Sequence, residues 1–134
     1  LSRAPVRRRR RDRRGERVLP AQHRMRTSTH FAATTRSGAR QGRRNVVVYV
    51  RATSGDQPSR AGFVVSKRVG NAVCRNLVKR RLRELVGMTI QGSPAGFDVV
   101  VRALPASAEA DFAELRRDWE SAWRKAASKA EVPA

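Results

Sequence analysis

The residues best suited to chemistry lie in one basic segment, residues 67–84, which holds seven basic side chains and one acid, Glu84. With about 100° of rotation per residue, a helix through this segment has two unlike faces. The first face is polar and basic, and consists of Arg75, Asn76, Lys79, Arg80 and Arg83. The opposite face is apolar, and consists of Cys74, Leu77, Val78, Leu82 and Leu85. Because rows of cationic groups bind successive phosphates, the segment predicts a helix that packs on a core and binds a polyanion.

A solvated helix surface is the alternative interpretation of this charged face. Solvated faces usually combine basic and acidic residues at i,i+4 spacing, because opposite charges attract at that distance. Here like charges repeat at that spacing, as in Arg75 and Lys79, so a polyanionic partner explains the face better. Arg81 falls within the apolar arc, and we expect its stem to lie along the core while its guanidinium reaches outward.

Composition also indicates a nucleic-acid partner. The 134 residues carry a formal net charge of +19, which favours nucleic acid over an anionic membrane. Residues 85–134 contribute little to this charge, since they hold six basic and seven acidic residues. No apolar run reaches the roughly 18 residues of a membrane span. The single cysteine, Cys74, excludes an intramolecular disulfide, fits a reducing cytoplasmic location, and is interpreted as a core residue rather than a reactive thiol.

The sequence shows no protein active site. Acidic residues are too sparse in the basic two-thirds of the chain to hold catalytic metal ions. His23 and His30 are too few for a zinc site with the distant Cys74, and no Ser/His/Asp set or Walker-type glycine loop is present. His30 is either an RNA contact or, as we favour, a neutral surface histidine. What remains is a binding surface.

The elements that must position this surface follow from hydrophobic periodicity and turn residues. We predict helices over residues 27–37 and 107–127, a long basic helix entered at Gly70 and Asn71 and ending near Gly87, strands over residues 45–52, 60–66 and 97–103, and a basic loop over residues 39–44. The second strand is expected to run antiparallel to the first, and Ser107 to cap the last helix. The buried stripe of that helix consists of Phe112, Leu115, Trp119 and Trp123. Strands covered by helices on one face make an α+β sandwich.

Two aromatic residues are candidates for stacking on single-stranded RNA bases. Phe31 is the main large apolar residue of the first helix, and a core position is an equal alternative for it. Tyr49 alternates away from the stripe formed by Val46, Val48 and Val50, which favours an exposed position slightly.

A family resemblance is carried by residues 65–73, Val-Ser-Lys-Arg-Val-Gly-Asn-Ala-Val, and by the pairs Arg75-Asn76, Lys79-Arg80 and Arg83-Glu84. This ungapped stretch resembles the signature of the protein subunit of bacterial ribonuclease P. The segment from Leu19 to Arg26, the Phe31 helix and the strand over residues 97–103 fit the same family in order and spacing. We therefore expect one domain over residues 18–127, preceded by a disordered Arg-rich extension (1–17) and followed by a short tail (128–134).

The resemblance implies an α-β-β-α-β-α two-layer sandwich, similar to some ribosomal proteins, with a left-handed βαβ crossover that departs from the general right-handed rule. It implies an endoribonuclease that removes the 5′ leader from precursor tRNA, with the chemistry carried by an RNA subunit and its bound Mg²⁺. The implied partners are that RNA subunit and precursor tRNA, with no obligate protein partner. The implied RNA contacts are Lys67, Arg68, Arg75, Asn76, Lys79, Arg80 and Arg83, and the implied leader-cleft residues are Phe31 and Tyr49.

Two features depart from the family pattern. Members often carry a second cleft aromatic one turn after the first, where this chain has Thr35, so we expect weaker stacking of the leader. The family usually starts near Leu19, and a valine codon at Val18 can serve as a bacterial start. We hypothesise that residues 1–17 come from a start assigned too early, which a peptide from these residues in the native protein would contradict.

Two alternative functions remain open from the sequence. One is an RNA-binding protein of another class, such as a ribosomal protein or RNA chaperone, which would share the charge but lack the signature helix. The other is a stand-alone protein nuclease, which the missing catalytic carboxylates disfavour.

Overall fold

The structure is a computed structural model that describes residues 19–133. Within this range the elements follow in the order α1 (Ser28–Ser37), β1 (Ala39–Gly42), β2 (Val46–Ala52), β3 (Arg60–Val64), α2 (Ala72–Gly92), β4 (Phe97–Ala103) and α3 (Phe112–Lys129). Short 3₁₀ helices, Ala21–His23 and Pro105–Ala108, precede α1 and α3. The expectations about residues 1–17 lie outside the described residues.

The four strands of the described region form one mixed sheet in the order β1-β2-β4-β3. β2 pairs antiparallel with β1 and β4, and β4 pairs parallel with β3. α2 connects the adjacent parallel strands β3 and β4, which makes the expected βαβ unit. β3 runs antiparallel to β2 in direction, as predicted, but β4 lies between them. The predicted α+β class is confirmed.

β1 is an element that the sequence prediction missed. The prediction of a loop over residues 39–44 is wrong, because Ala39–Gly42 pair with β2 and place Gln41 opposite Val48. The four residues of β1 show no apolar alternation that would reveal a strand. Their backbone groups instead cover an edge that the valine-rich β2 would otherwise expose.

A glycine and an asparagine start α2. Gly70 has a φ of +153°, a conformation that L side chains rarely adopt. Asn71 then caps the helix, since its side chain accepts a hydrogen bond of 2.9 Å from the Cys74 backbone N–H. The helix continues past the predicted end at Gly87 to Gly92, because the buried Ile90 extends its apolar face.

The N-cap of α3 lies four residues after the predicted one, at Asp111 instead of Ser107. The Ser107 hydroxyl lies in the preceding 3₁₀ helix and donates to the Leu104 carbonyl at 2.6 Å. The Asp111 carboxylate caps the helix by accepting a hydrogen bond of 2.8 Å from the Glu114 N–H. Both residues are good capping types, and packing of the intervening buried Ala110 separates the two helices.

The main core lies between one face of the sheet and the helices α2 and α3. It contains Val46, Val48, Val50, Val99 and Val101 from the sheet and Leu82, Leu85, Leu115 and Trp119 from the helices. The predicted stripe on α3 is confirmed as core, with Phe112 and Trp123 partly buried beside it. Cys74 also packs against this core, as predicted.

α1 packs on the opposite face of the sheet, so the helices do not all cover one face as expected. The Arg60 guanidinium on β3 lies 3.1 Å from the ring nitrogens of His30, and the Phe31 ring lies on Gly62. α1 thus brings an aromatic side chain to the sheet beside α2. Within residues 19–133, every helix is too short or too polar to cross a membrane.

Candidate nucleic-acid interface

A cleft of about 210 Å³ lies where α1, β3 and α2 meet. α1 contributes Phe31, and α2 contributes Lys79 and Arg83, which are one helical turn apart. Arg24 and Arg26, from the segment before α1, also line the cleft. The cleft lining therefore combines two phenylalanines, Phe31 and Phe63, with four cations, which suits a flexible anion that carries planar groups.

Gly62 determines how deeply the Phe31 ring sits. A Cβ atom built at Gly62 would overlap the Phe31 ring, so the ring rests directly on the β3 backbone. The ring is only half-buried and keeps one side at the cleft. Phe31 therefore meets both interpretations left open by the sequence: it packs on the sheet, and it remains available for stacking.

Tyr49 lies on the same face of the sheet as Gly62. Strand pairing places Tyr49 opposite Val100, and Val100 opposite Gly62, so the three residues form one row across β2, β4 and β3. Two strand spacings separate Tyr49 from Gly62, which is roughly 10 Å. Tyr49 is half-buried and does not line the Phe31 cleft itself. The two predicted aromatic residues thus lie on the same face of the sheet but do not line the same cavity.

The basic face of α2 is directed outward. Its exposed members, with those of the preceding turn, are Lys67, Arg68, Asn76, Arg80 and Arg83, and its half-buried members are Arg75 and Lys79. Among residues 19–133, none of these seven side chains takes part in an ion pair. The face therefore carries positive charge that the described protein does not neutralise.

Arg81 behaves as its position in the apolar arc predicts. It is half-buried, and its Nη1 donates a hydrogen bond of 3.0 Å to the Ala110 carbonyl. Its guanidinium therefore joins α2 to the segment before α3.

A buried carboxylate organises the far end of the same sheet face. Asp98 on β4 is fully buried and accepts two hydrogen bonds from Arg60, at 3.0 and 2.9 Å, and one from Arg51 at 3.1 Å. Arg60 also contacts His30 on α1. His30 therefore contacts the arginine that is paired with Asp98, and it is not the free surface histidine that the sequence favoured. Because the carboxylate bridges two cations from neighbouring strands, it fixes the guanidinium that α1 rests on.

The family model for Ribonuclease P matches residues 19–127. The chain belongs to the ribonuclease P protein family. It is 65% identical over 105 residues to the ribonuclease P protein component of Kocuria rhizophila, and the match covers 78% of this chain and 92% of that protein. The component from Streptomyces bikiniensis is 47% identical over 116 residues, which cover 81% of this chain and 94% of that one.

Solved structures of ribonuclease P proteins share the fold. The Staphylococcus aureus protein superposes with a TM-score of 0.70 at 26% identity, over 78% of this chain and 94% of that one. The Thermotoga maritima protein gives a TM-score of 0.63 at 27% identity, over 83% and 98%. The family match spans the cleft, the α2 face and the sheet together, which associates this chain with ribonuclease P and with tRNA processing.

Two exposed cations on the cleft side of this ribonuclease P family member escaped the sequence prediction. Arg102 on β4 pairs with Val47, next to Tyr49, and Arg40 on β1 pairs with Tyr49 itself. Strand alternation places Arg102 on the face opposite Val99 and Val101, which is a signal that the sequence does contain. Arg40 had no such signal, because β1 was not predicted.

Proposed function

We propose that this chain is the RNA-binding subunit of a ribonuclease P ribonucleoprotein, in which it helps a catalytic RNA remove the 5′ leader from precursor tRNA. The observation that carries the proposal is the cleft in which the Phe31 ring meets Lys79 and Arg83 of the unpaired basic face of α2. Membership of the ribonuclease P family supports the same function.

The two sides of α2 have different tasks in this proposal. The outward face, with Arg80, Asn76 and the turn at Lys67 and Arg68, docks on the RNA subunit through its phosphates. The side at the sheet, with Lys79 and Arg83, holds the leader backbone in the cleft.

The leader is single-stranded, which suits the open sheet face. Single-stranded RNA is commonly bound by cations that follow its backbone and by aromatic rings that stack on its bases. Phe31 in the cleft and Tyr49, in the same sheet row, provide two such rings. Arg102 and Arg40 flank Tyr49 and provide further contacts to phosphate. Thr35 supplies no ring, and its hydroxyl donates a hydrogen bond to the Phe31 carbonyl at 3.0 Å.

The chemistry is assigned to the RNA. Residues 19–133 contain no group of three or more His, Cys, Asp or Glu side chains that could hold a metal ion. Asp98, the buried acid nearest the cleft face, is occupied by two arginines. Because these residues do not fit a catalytic Mg²⁺, we propose that Mg²⁺ is bound by the RNA subunit and the substrate.

The test is cleavage of a 5′-labelled precursor tRNA at low Mg²⁺ by the protein alone, the matching RNA alone and the two together. We expect efficient cleavage at the mature 5′ end only with both present, and without any further protein. Cleavage by the protein alone would reveal a protein active site. If the protein did not stimulate cleavage by the RNA, the remaining interpretation would be a general RNA-binding protein.

A further inference from the structure

A second basic surface lies on α3, away from the cleft. A groove of about 530 Å³ runs between the β1–β2 connection and the C-terminal half of α3. It is lined by Arg43, Ser121, Arg124, Lys125, Ser128 and Lys129. We call these six residues the α3 groove. Its lining contains four cations, two hydroxyl groups and no acid.

The charge of the α3 groove is unexpected for its part of the chain. Residues 85–134 hold only six basic residues against seven acids, yet three of those six line this one groove. Among the described residues, none of the four groove cations takes part in an ion pair. The acids of α3 lie nearer its N-terminus, where Glu114 and Glu120 pair with Arg44 and Arg116. The groove therefore carries a local excess of positive charge.

Two of the groove cations are held in place by uncharged oxygens. Arg43 donates from Nε to the Ser121 hydroxyl at 2.9 Å and from Nη1 to the Gly42 carbonyl at 2.7 Å. Lys129 donates to the Gln41 side-chain oxygen at 3.1 Å. These contacts position both cations without neutralising them. A preordered cation loses less side-chain entropy when an anion binds.

Helix stability alone explains only part of this cluster. A cation in the last turn interacts favourably with the helix dipole, which accounts for Lys129. Arg124 and Lys125 are exposed and lie one turn earlier. Lys125 and Lys129 have like charges at i,i+4 spacing, which destabilises an isolated helix. An anion bound in the groove would attract both cations and offset that repulsion.

The α3 groove and the Phe31 cleft lie at opposite edges of the sheet. The groove adjoins the β1 side, and the cleft adjoins β3. Three strand spacings, roughly 14 Å, separate the two edge strands. One RNA strand in the cleft would not fill the groove unless it also wrapped around the sheet, so the groove is a separate contact.

We propose that the α3 groove binds the phosphate backbone of RNA, as a second contact between this protein and the RNA of the ribonucleoprotein. The proposal rests on the proposed function, which supplies the RNA. A membrane is a poorer partner, because interfacial helices need exposed apolar side chains. The exposed large apolar residues of the described region, Val73 and Met88, both lie on α2 and not at the groove.

Lysine footprinting tests the proposal directly, because the chain has four lysines and they divide evenly between the two surfaces. Lys67 and Lys79 report on the α2 side, and Lys125 and Lys129 report on the α3 groove. The full chain is acetylated with a water-soluble acetylating reagent, free and in complex with the matching RNA subunit, with and without precursor tRNA. Mass spectrometry then gives the modification of each lysine. We expect Lys125 to be protected at least several-fold in one of the complexes.

The pattern of protection separates the two proposals. Protection of Lys67 and Lys79 without protection of Lys125 would contradict RNA binding by the α3 groove, while leaving the proposed function intact. A lack of protection at all four lysines would contradict both. Protection of Lys125 only when precursor tRNA is present would assign the groove to the substrate rather than to the RNA subunit.

A double variant gives an independent readout. Arg124→Gln with Lys125→Gln removes two charges from exposed positions, and Arg116→Gln with Arg117→Gln removes two from the same helix outside the groove. The slope of log K against log salt for RNA should become shallower by about 1.4 to 1.8 in the groove variant, since each phosphate contact contributes about 0.7 to 0.9. Equal changes in both variants would mean that only net charge matters, and no change in the groove variant would remove the groove from the interface.

Discussion

At the scale of single residues, Gly62 is the position on which the aromatic side of the cleft depends. Replacing Gly62 by Ala adds a Cβ where the Phe31 ring now lies. We expect the ring to be displaced and the binding of precursor tRNA to weaken by about 1–3 kcal/mol, the usual contribution of one base–aromatic stack. Binding of mature tRNA, which has no leader, should not change. The measurement is the dissociation constant of the reconstituted complex for each RNA.

Gly42 provides a matched control for this substitution. It also lies in a strand, but a Cβ atom at Gly42 would meet no atom within 4 Å. Gly42→Ala should therefore leave both dissociation constants unchanged. If Gly62→Ala behaved like Gly42→Ala, the Phe31 ring would not contribute to leader binding.

Two substitutions at Tyr49 separate the contribution of ring stacking from the contribution of the hydroxyl group. No hydrogen bond of the Tyr49 hydroxyl is present among residues 19–133, so the ring is the more important part in the proposed site. We expect Tyr49→Ala to weaken the binding of precursor tRNA, again by about 1–3 kcal/mol, and Tyr49→Phe to retain it. Equal weakening for precursor and mature tRNA would remove Tyr49 from the leader site, and a loss with Phe would point to the hydroxyl instead.

At the scale of elements, Asp98 connects three strands and a helix. Its carboxylate binds Arg60 on β3 and Arg51 on β2, and Arg60 contacts His30 on α1. Removing one partner from a buried ion pair is costly, because it leaves the remaining charge without compensation. We expect Asp98→Ala to lower the free energy of unfolding by about 3 kcal/mol, the lower end of that range, because both guanidinium groups remain partly in water. Urea denaturation at fixed salt measures this change.

Glu120 is the control acid, since it pairs with Arg116 at i,i+4 spacing on the exposed face of α3. Glu120→Ala should cost no more than about 0.5 kcal/mol, as exposed helix pairs do. A similar small cost for Asp98→Ala would show that the network is not a structural tie between the sheet and α1.

The elements that follow periodicity were predictable, and those set by pairing or by packing were not. Runs of β-branched valines located β2 and β4, and the two-faced pattern located α2. β1 forms because its backbone pairs with β2, so its side chains carry no pattern. The choice of Asp111 over Ser107 as the cap of α3 depends on packing that two similar capping residues cannot reveal.

The candidate site shows the same division. The cations of α2 and their outward direction follow from helical spacing, and the sequence identified them. The contact between Phe31 and Gly62 joins residues 31 positions apart, and it exists only because α1 crosses β3. The α3 groove likewise arises from the approach of α3 to the β1–β2 connection. Long-range placement therefore determined the part of the site that the sequence did not reveal.

At the scale of the whole molecule, several acids have structural roles, while the cations of two surfaces form no ion pairs within the described residues. Asp98 binds two arginines, Asp111 caps α3, and Asp118 accepts two hydrogen bonds from the buried Asn45. With 30 basic residues against 11 acids, the chain has too few acids to neutralise its surface and keeps a net charge of +19. This division keeps the fold intact while the basic surfaces stay available to a polyanion.

That surplus charge makes RNA binding strongly dependent on salt. If the α2 side neutralises about five phosphates, log K should fall with log salt at a slope of roughly −3.5 to −4.5. Arg80 and Arg83 are the best positions for a test, because both are exposed, whereas Arg75 is half-buried with its Nε enclosed. Arg80→Gln with Arg83→Gln should make the slope shallower by about 1.4 to 1.8, while Arg116→Gln with Arg117→Gln leaves it unchanged. An unchanged slope in the α2 variant would show that this face does not contact RNA.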